Sequence, residues 1–365
     1  MKNPLIYFKR CIDFRNSNRT PAWITLFVTK RCNAKCKHCF YWRELNKKEY
    51  EMTLDDYKKL ANSFRNKVET IILTGGEPFL RDDIAEICNI FKDKTKNITI
   101  ATNASLTEKT HSTIKEIMKN LNDKTKLKIY ISLDGDKELH EKIRGVPIFD
   151  QTIRTMNKLK DIKNLELTTQ TVISNSNYKH LERINDFVSK LKIPHSFSMV
   201  RMDNLIRSRV HANKYTPREL ETGGAPPINE LDNIYNRIKK IIKSNGESLN
   251  SLKVRGYLDS LRYSINYLRG NENKKRVPCL AGRAMTVIYS NGDVSVCEMI
   301  NHFANLKEFN FNFHKLWNSK KAEAIRKSIK NCYCTHGCFI GPSEVYYPPF
   351  FLKNTFKNLI SHEKN

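Results

Sequence analysis

From about residue 22 to 200, short runs rich in β-branched and aromatic residues alternate with amphipathic helical patterns. This alternation limits the chain to a small set of folds. The strand candidates are Trp23–Thr29, Ile71–Leu73, Ile98–Thr102, Leu127–Leu133, Leu165–Ile173 and His195–Val200. Between them, Ile114, Ile117, Met118 and Leu121 share one helical face, and Leu181, Ile184, Phe187, Val188 and Leu191 share another. Strands separated by helical crossovers of this length imply parallel βαβ units. Six units predict an α/β protein with an open, partial (β/α)6 TIM-like barrel, two units short of a closed eight-fold barrel.

After Val200 the pattern changes. A basic and helical connecting region is expected over 201–278, beyond an N-terminal extension (1–20) and the barrel core (21–200). Within it, Gly223-Gly224-Ala225-Pro226-Pro227 is a strong breaker, and Leu231, Ile234, Tyr235, Ile238, Ile241 and Ile242 form one helix face. A small cysteine-rich module with a β-hairpin and helices is expected over 279–340, followed by a tail (341–365). In that module Thr286–Tyr289 and Val294–Val296 flank the hairpin signal Ser290-Asn291-Gly292-Asp293.

A formal charge of +26 spread along 365 residues, with 39% hydrophobic content, excludes a disordered chain or a lone basic tail. No apolar run approaches the roughly 18 to 20 residues of a membrane span. Lys2, Lys9 and Arg10 interrupt the N-terminus, so it does not read as a signal peptide. The expectation is a soluble, cytoplasmic protein. In that reducing compartment ten cysteines need another explanation than disulfides. Cys88 shares a helical stripe with Ile84, Ile87 and Phe91 and reads as core, while Cys11 has no context.

Cys32, Cys36 and Cys39 form a Cys-x3-Cys-x2-Cys run directly after the first strand. Three thiolates in one loop can hold three corners of a cubane [4Fe–4S] cluster and leave one iron open. The alternative is zinc, whose structural sites take four ligands. Further polar sets end the next strands: Gly75-Gly76-Glu77-Pro78, Thr102-Asn103-Ala104 and Ser132-Leu133-Asp134-Gly135. All lie at carboxyl ends of predicted parallel strands, where such folds bind ligands.

Together the triad, Gly75 to Pro78 and Ile131-Ser132-Leu133-Asp134-Gly135 resemble the radical S-adenosylmethionine (SAM) enzyme superfamily over roughly residues 20 to 200. The resemblance implies that Cys32, Cys36 and Cys39 ligate a [4Fe–4S] cluster whose open iron is chelated by SAM. It places Gly75, Gly76, Glu77 and Pro78 at the methionine end, with Asn103 at the same rim. Ser132 and Asp134 would lie near the ribose or the methionine carboxylate, and Arg144 could pair with that carboxylate. His38 stands where relatives usually carry an aromatic that touches adenine; it fills that role or is a spacer. Reductive cleavage of SAM to a 5′-deoxyadenosyl radical, then hydrogen abstraction from a C–H bond, is the implied chemistry. A one-electron reductant such as flavodoxin or ferredoxin is the implied partner.

The second cysteine set is Cys279-x12-Gly-x4-Cys297, then Cys332, Cys334 and Cys338. Its hairpin half resembles the SPASM and twitch modules of radical SAM proteins; Cys-x-Cys-x3-Cys departs from the usual SPASM run. One auxiliary [4Fe–4S] cluster is expected, from Cys279, Cys297 and two or three of Cys332, Cys334 and Cys338, with a partial second cluster or zinc as the alternatives. Members with such modules commonly modify ribosomal peptides, which favours a peptide substrate. The first strand is expected only about 20 residues in, so a fused leader-binding domain is not expected. The charge, and Arg201, Arg207, Arg209, Lys214 and Arg218 near the rim, keep an anionic small molecule open. The rival from another class is a basic RNA-binding protein with structural metal-bound cysteines.

Overall fold

The computed structural model of the chain describes residues 19–201, 218–270, 278–329, 332 and 336–346. Six parallel strands follow in sequence: β1 (Trp23–Thr29), β2 (Val68–Gly75), β3 (Thr95–Thr102), β4 (Lys126–Ser132), β5 (Glu166–Ile173) and β6 (His195–Met199). Helices Leu54–Asn62, Ile84–Phe91, Thr107–Asn120, Lys137–Arg144, Phe149–Leu159 and Leu181–Lys190 fall between them. The predicted strands are all present; β2 and β3 begin about three residues earlier than their apolar runs, because Val68 and Thr95 are already paired.

The alternation has a direct physical origin. Ile24, Leu26, Val28, Ile71, Leu73, Ile98, Ile100, Leu127, Ile129 and Ile131 are all at most 1% exposed and join Ile114, Ile117 and Ile184 from the helices in one core. Each such side chain contributes about 1.5–3 kcal/mol on burial. The alternate residues line the concave face of the sheet. On β4 to β6 these are Tyr130, Ser132, Thr168, Gln170, Val172, Ser196 and Ser198, all half-buried.

The sheet does not close. It continues past β1 through β7 (Met285–Ile288), β8 (Asp293–Ser295) and β9 (Ala304–Asn305), in the order β6-β5-β4-β3-β2-β1-β7-β8-β9. Strand β7 runs parallel to β1, with Trp23 opposite Met285 and Leu26 opposite Ile288. The predicted hairpin is formed by β7 and β8, and its Gly292 takes a φ of 91°. The C-terminal cysteine region therefore begins as an extension of the barrel sheet. Phe27, Tyr41 and Tyr289 fill the concave side at this junction, with ring centroids 4.9 Å apart for Phe27 with each tyrosine. Met285, Val287, Cys297 and Cys332 belong to the same apolar cluster. Cys88 is core, as its stripe predicts, and Cys11 lies outside the described residues. Among the described residues no helix is long and apolar enough to cross a membrane.

Candidate functional site

The loop after β1 carries the triad, and neighbouring main chain grips it along its length. Lys35 N donates to Arg144 O and Lys37 N to Ile143 O, both at 2.9 Å. Those carbonyls belong to the last turn of the Lys137–Arg144 helix. That helix starts at Asp136, whose side chain accepts from Leu139 N, and stops at Gly145 in the left-handed region (φ 68°). A side chain on Gly145 would meet Lys35 O at 2.8 Å. From β2, Gly76 N donates to Thr29 O and Glu77 N to Arg31 O. A Cβ on Gly76 would sit 2.0 Å from Arg31 O, so the turn is glycine because two backbones touch there. Glu219 N donates to Lys37 O at 3.0 Å. The Gly-Gly breaker thus passes directly over the triad loop.

Two side-chain amides complete the grip. Asn46 accepts from Cys32 N and donates to Cys32 O. Asn33, within the triad loop, accepts from Asn103 Nδ2 at 2.9 Å and donates to Ser105 Oγ at 2.8 Å. Asn103, predicted at this rim, therefore holds the loop by its side chain. The sequence marks out neither Asn33 nor Asn46, because an asparagine in a loop carries no local signal of its partner.

Burial pushes the Cys32 thiol up to about 11 and the Cys39 thiol to about 12, with Cys36 close enough to repel both. A bound metal would offset that cost, because the thiols then give up their protons to solvent and the thiolate charge is taken up by the metal. Among the described residues no tight group of three or more His, Cys, Asp or Glu forms a site for a single ion. Three thiols carried by one loop beside Gly75 and Gly76 are the kind of donor set that could hold three corners of a cubane cluster. His38 Nδ1, beside the triad, is buried with no hydrogen-bond partner, as a polar ligand would require. Burial lowers His38 to about 4, with Arg144 and Arg201 acting the same way against Asp134, so the imidazole is neutral.

The remaining rim residues are placed less simply. Glu77 does not face the concave space: its carboxylate accepts from Thr102 Oγ1 (2.7 Å), Asn103 N (2.8 Å) and Phe79 N (3.2 Å), and it joins the ends of β2 and β3. Burial raises its pKa against those three donors. Pro78, buried beside Phe79, opens a short 3-10 turn (Pro78–Leu80). Arg144, expected to pair with a ligand carboxylate, is already engaged. Its Nε lies 2.7 Å from Asp134 Oδ2 and its Nη1 donates to Cys36 Sγ at 3.5 Å. Asp134 is fully buried and also accepts from Val172 N. Burial works to raise its pKa, but Arg144, His38 and His140 outweigh it and hold the carboxyl below its ordinary range. Asp134 thus turns into the protein toward Arg144, while Ser132 stays on the half-open concave face.

In the C-terminal region Cys297 and Cys332 are buried and Cys279 half-buried, in one cluster. Cys334 and the side chain of Cys338 lie outside the described residues, as do Arg207, Arg209 and Lys214. Glu298, next to Cys297, is fully buried and forms an ion pair with Arg201, while His336 Nε2 lies 3.1 Å away. These partners outweigh burial and hold Glu298 down to about 2. The Arg201 guanidinium lies 4.5 Å from the ring centroid of Phe40, the residue after Cys39. One buried ion cluster therefore joins the surroundings of both cysteine sets. Tyr346, at the start of the tail, packs into the same apolar cluster.

Two family profiles match the chain: the radical SAM superfamily over residues 26–188 and an iron–sulfur cluster-binding domain, SPASM, over residues 279–339. Together they take in more than half of the chain, and they set aside the RNA-binding reading. The antilisterial bacteriocin subtilosin biosynthesis protein AlbA of Bacillus subtilis is 27% identical over 342 residues, 88% of this chain and 67% of that one. The Fe-coproporphyrin III synthase of Methanosarcina barkeri is 28% identical over 49% of this chain and 47% of its own. The chain thus spans about half the length of several curated relatives it matches. The structure of Streptococcus suis SuiB bound to precursor peptide SuiA superposes with a TM-score of 0.59 at 19% identity, covering 91% of this chain and 75% of SuiB. This likeness shows a shared fold. Family membership brings with it a [4Fe–4S] cluster with SAM and an auxiliary cluster. The chain belongs to the radical SAM superfamily of enzymes and carries a SPASM iron–sulfur cluster-binding domain.

Proposed function

We propose that this chain modifies a peptide by hydrogen abstraction, with its SAM-binding cluster held by Cys32, Cys36 and Cys39. The observation that carries this is the triad loop, gripped by main chain from three other segments at the carboxyl rim of an open parallel sheet. When bound, the cluster and SAM supply an electron and a 5′-deoxyadenosyl radical that takes hydrogen from a C–H bond. The chain's own residues hold and shield. Gly75 and Gly76 bring backbone close to the cradle, Glu77 and Asn103 stiffen it, and neutral His38 offers a polar atom without charge. The main-chain bonds to Lys35 and Lys37 fix the course of the loop between the three cysteines.

The concave face argues for a peptide over an anionic small molecule. Tyr130, Thr168, Gln170, Ser196 and Ser198 are uncharged hydrogen-bonding groups suited to amides. Lys128 on that face pairs with Glu166 at 2.8 Å. Near the rim, Arg201 is bound to Glu298 and Arg218 lies over Trp42. SuiB, of the same fold, is described with a precursor peptide bound. An auxiliary cluster ligated by Cys279, Cys297 and two or three of Cys332, Cys334 and Cys338 would receive the substrate's second electron or bind the peptide. An acidic one-electron carrier such as flavodoxin or ferredoxin suits the exposed Arg31 and Lys35 beside the triad.

The test is anaerobic reconstitution with iron and sulfide, reduction with dithionite and assay for 5′-deoxyadenosine from SAM. Product is expected to disappear in the C32A/C36A/C39A variant, and iron to fall from roughly eight to roughly four per chain. Undiminished product in that variant would overturn the proposal. Deuterium transfer from labelled peptides into 5′-deoxyadenosine then identifies the substrate class.

A further inference from the structure

Arg144 touches the triad loop in two independent ways. Its carbonyl accepts from Lys35 N, and its side chain, in a residue only 6% exposed, donates to Cys36 Sγ at 3.5 Å. On the far side, Asp134, 0% exposed, lies 2.7 Å from Arg144 Nε and is itself anchored by Val172 N. A buried carboxylate and a buried guanidinium thus lead to a half-buried cluster thiol. A guanidinium keeps its charge throughout the accessible pH range, and its planar fork fixes where that charge points. In a buried site such a charge is weakly screened. Hydrogen bonds and charges beside the ligating sulfurs are among the levers by which a protein sets the potential of an iron–sulfur cluster.

We propose that the Asp134–Arg144 pair sets the reduction potential of the cluster held by Cys32, Cys36 and Cys39. Arg144 favours the reduced form through Cys36 Sγ, and Asp134 both aims Arg144 and tempers its charge. The inference rests on the reading that this triad holds a [4Fe–4S] cluster. Reduction from the 2+ to the 1+ state adds one electron from an external donor and no proton. The added negative charge is stabilised by the fixed cation and opposed by the fixed carboxylate. Arg144 and Asp134 are positioning residues for the cluster's electronics, and their opposite signs make the claim testable.

The test is a mediated redox titration of the fully reconstituted chain without SAM, poised with dithionite and followed by the EPR signal of the reduced cluster, with iron counted for each variant. R144Q is expected to lower the ratio of reduced to oxidised cluster at fixed poise about tenfold, equivalent to about 59 mV for one electron. D134N is expected to shift the midpoint in the opposite direction. R144K, which keeps the charge, is expected to restore most of the R144Q loss. The loop's main-chain bond to Arg144 O survives all of these changes. Unchanged midpoints at full iron content would overturn the proposal. So would shifts of the same sign in R144Q and D134N, which would mark a role in packing alone. A wild-type chain that takes up no iron would instead sink the cluster reading beneath it.

Discussion

Asn46 clasps Cys32 from both sides: its Oδ1 accepts from Cys32 N at 2.9 Å and its Nδ2 donates to Cys32 O at 3.1 Å. An amide side chain here imitates a strand partner for the first residue of the triad. Asn46 also takes φ 60°, which asparagine tolerates better than other side chains. N46A is expected to destabilise the chain by about 1–2 kcal/mol, from two lost exposed bonds and a left-handed backbone. Urea unfolding measures the stability, and iron loss to a chelator, expected to be faster, measures the clasp. Wild-type chelation kinetics would show that Cys32 is held by other means.

Gly76 is the position where the β2 turn meets the triad loop. In G76A the new methyl would lie 2.0 Å from Arg31 O, so one backbone must move. The expected outcome is a folded chain with unchanged far-ultraviolet circular dichroism and little iron retained after reconstitution. Full iron loading would mean that the turn can yield without disturbing the thiols.

The helix Leu54–Asn62 begins with a reciprocal cap, Thr53 with Asp56. Asp56 Oδ2 accepts from Thr53 N at 2.8 Å and also binds the Tyr50 hydroxyl. Burial acts to raise Asp56, but Tyr50 and Thr53 outweigh it and the carboxyl is held below its ordinary value. A lowered carboxyl contributes stability that is present above its unfolded pKa, about 3.9, and lost as pH falls below it. D56A is therefore expected to cost about 0.5–2 kcal/mol at pH 7 and progressively less under acid. Urea midpoints of the metal-free chain from pH 7 to 3 test this; a cost that grows toward acid would contradict the assignment.

Arg201 and Glu298 join the end of the barrel to the cysteine-rich region. Removing one partner of a buried pair leaves a charge uncompensated, at roughly 3–5 kcal/mol. Arg201 is about a quarter exposed, so R201M is expected near the lower end. E298Q in the same chain is expected to recover part of the loss. A double-mutant cycle read by urea unfolding measures the coupling, and additive effects would show that the two side chains act separately.

Local periodicity made β1 to β6 legible, because each strand alternates between a helix-covered face and the concave one, and that alternation is written in consecutive residues. The triad and the Gly-Gly-Glu-Pro turn were legible for a related reason: close spacing puts chemistry in one loop whatever the rest of the chain does. The direction of side chains at the rim was not. Glu77 and Asp134 sit in motifs that suggest ligand contact, yet one braces β3 and the other is bound to Arg144. Their partners lie 25, 26 and 10 residues away along the chain, distances over which spacing carries no orientation.

The sequence by itself determined the strand–helix order, the thiols and the family they point to. Tertiary structure alone decided that β7 pairs with β1, that Gly76, Gly145 and Asn46 close on the triad loop, and that Asp134, Arg144 and Cys36 stand in line. The reason is physical. Hydrophobic periodicity is a property of neighbouring residues, whereas a hydrogen bond between positions 36 and 144 exists only once the sheet has set the carboxyl ends of its strands side by side.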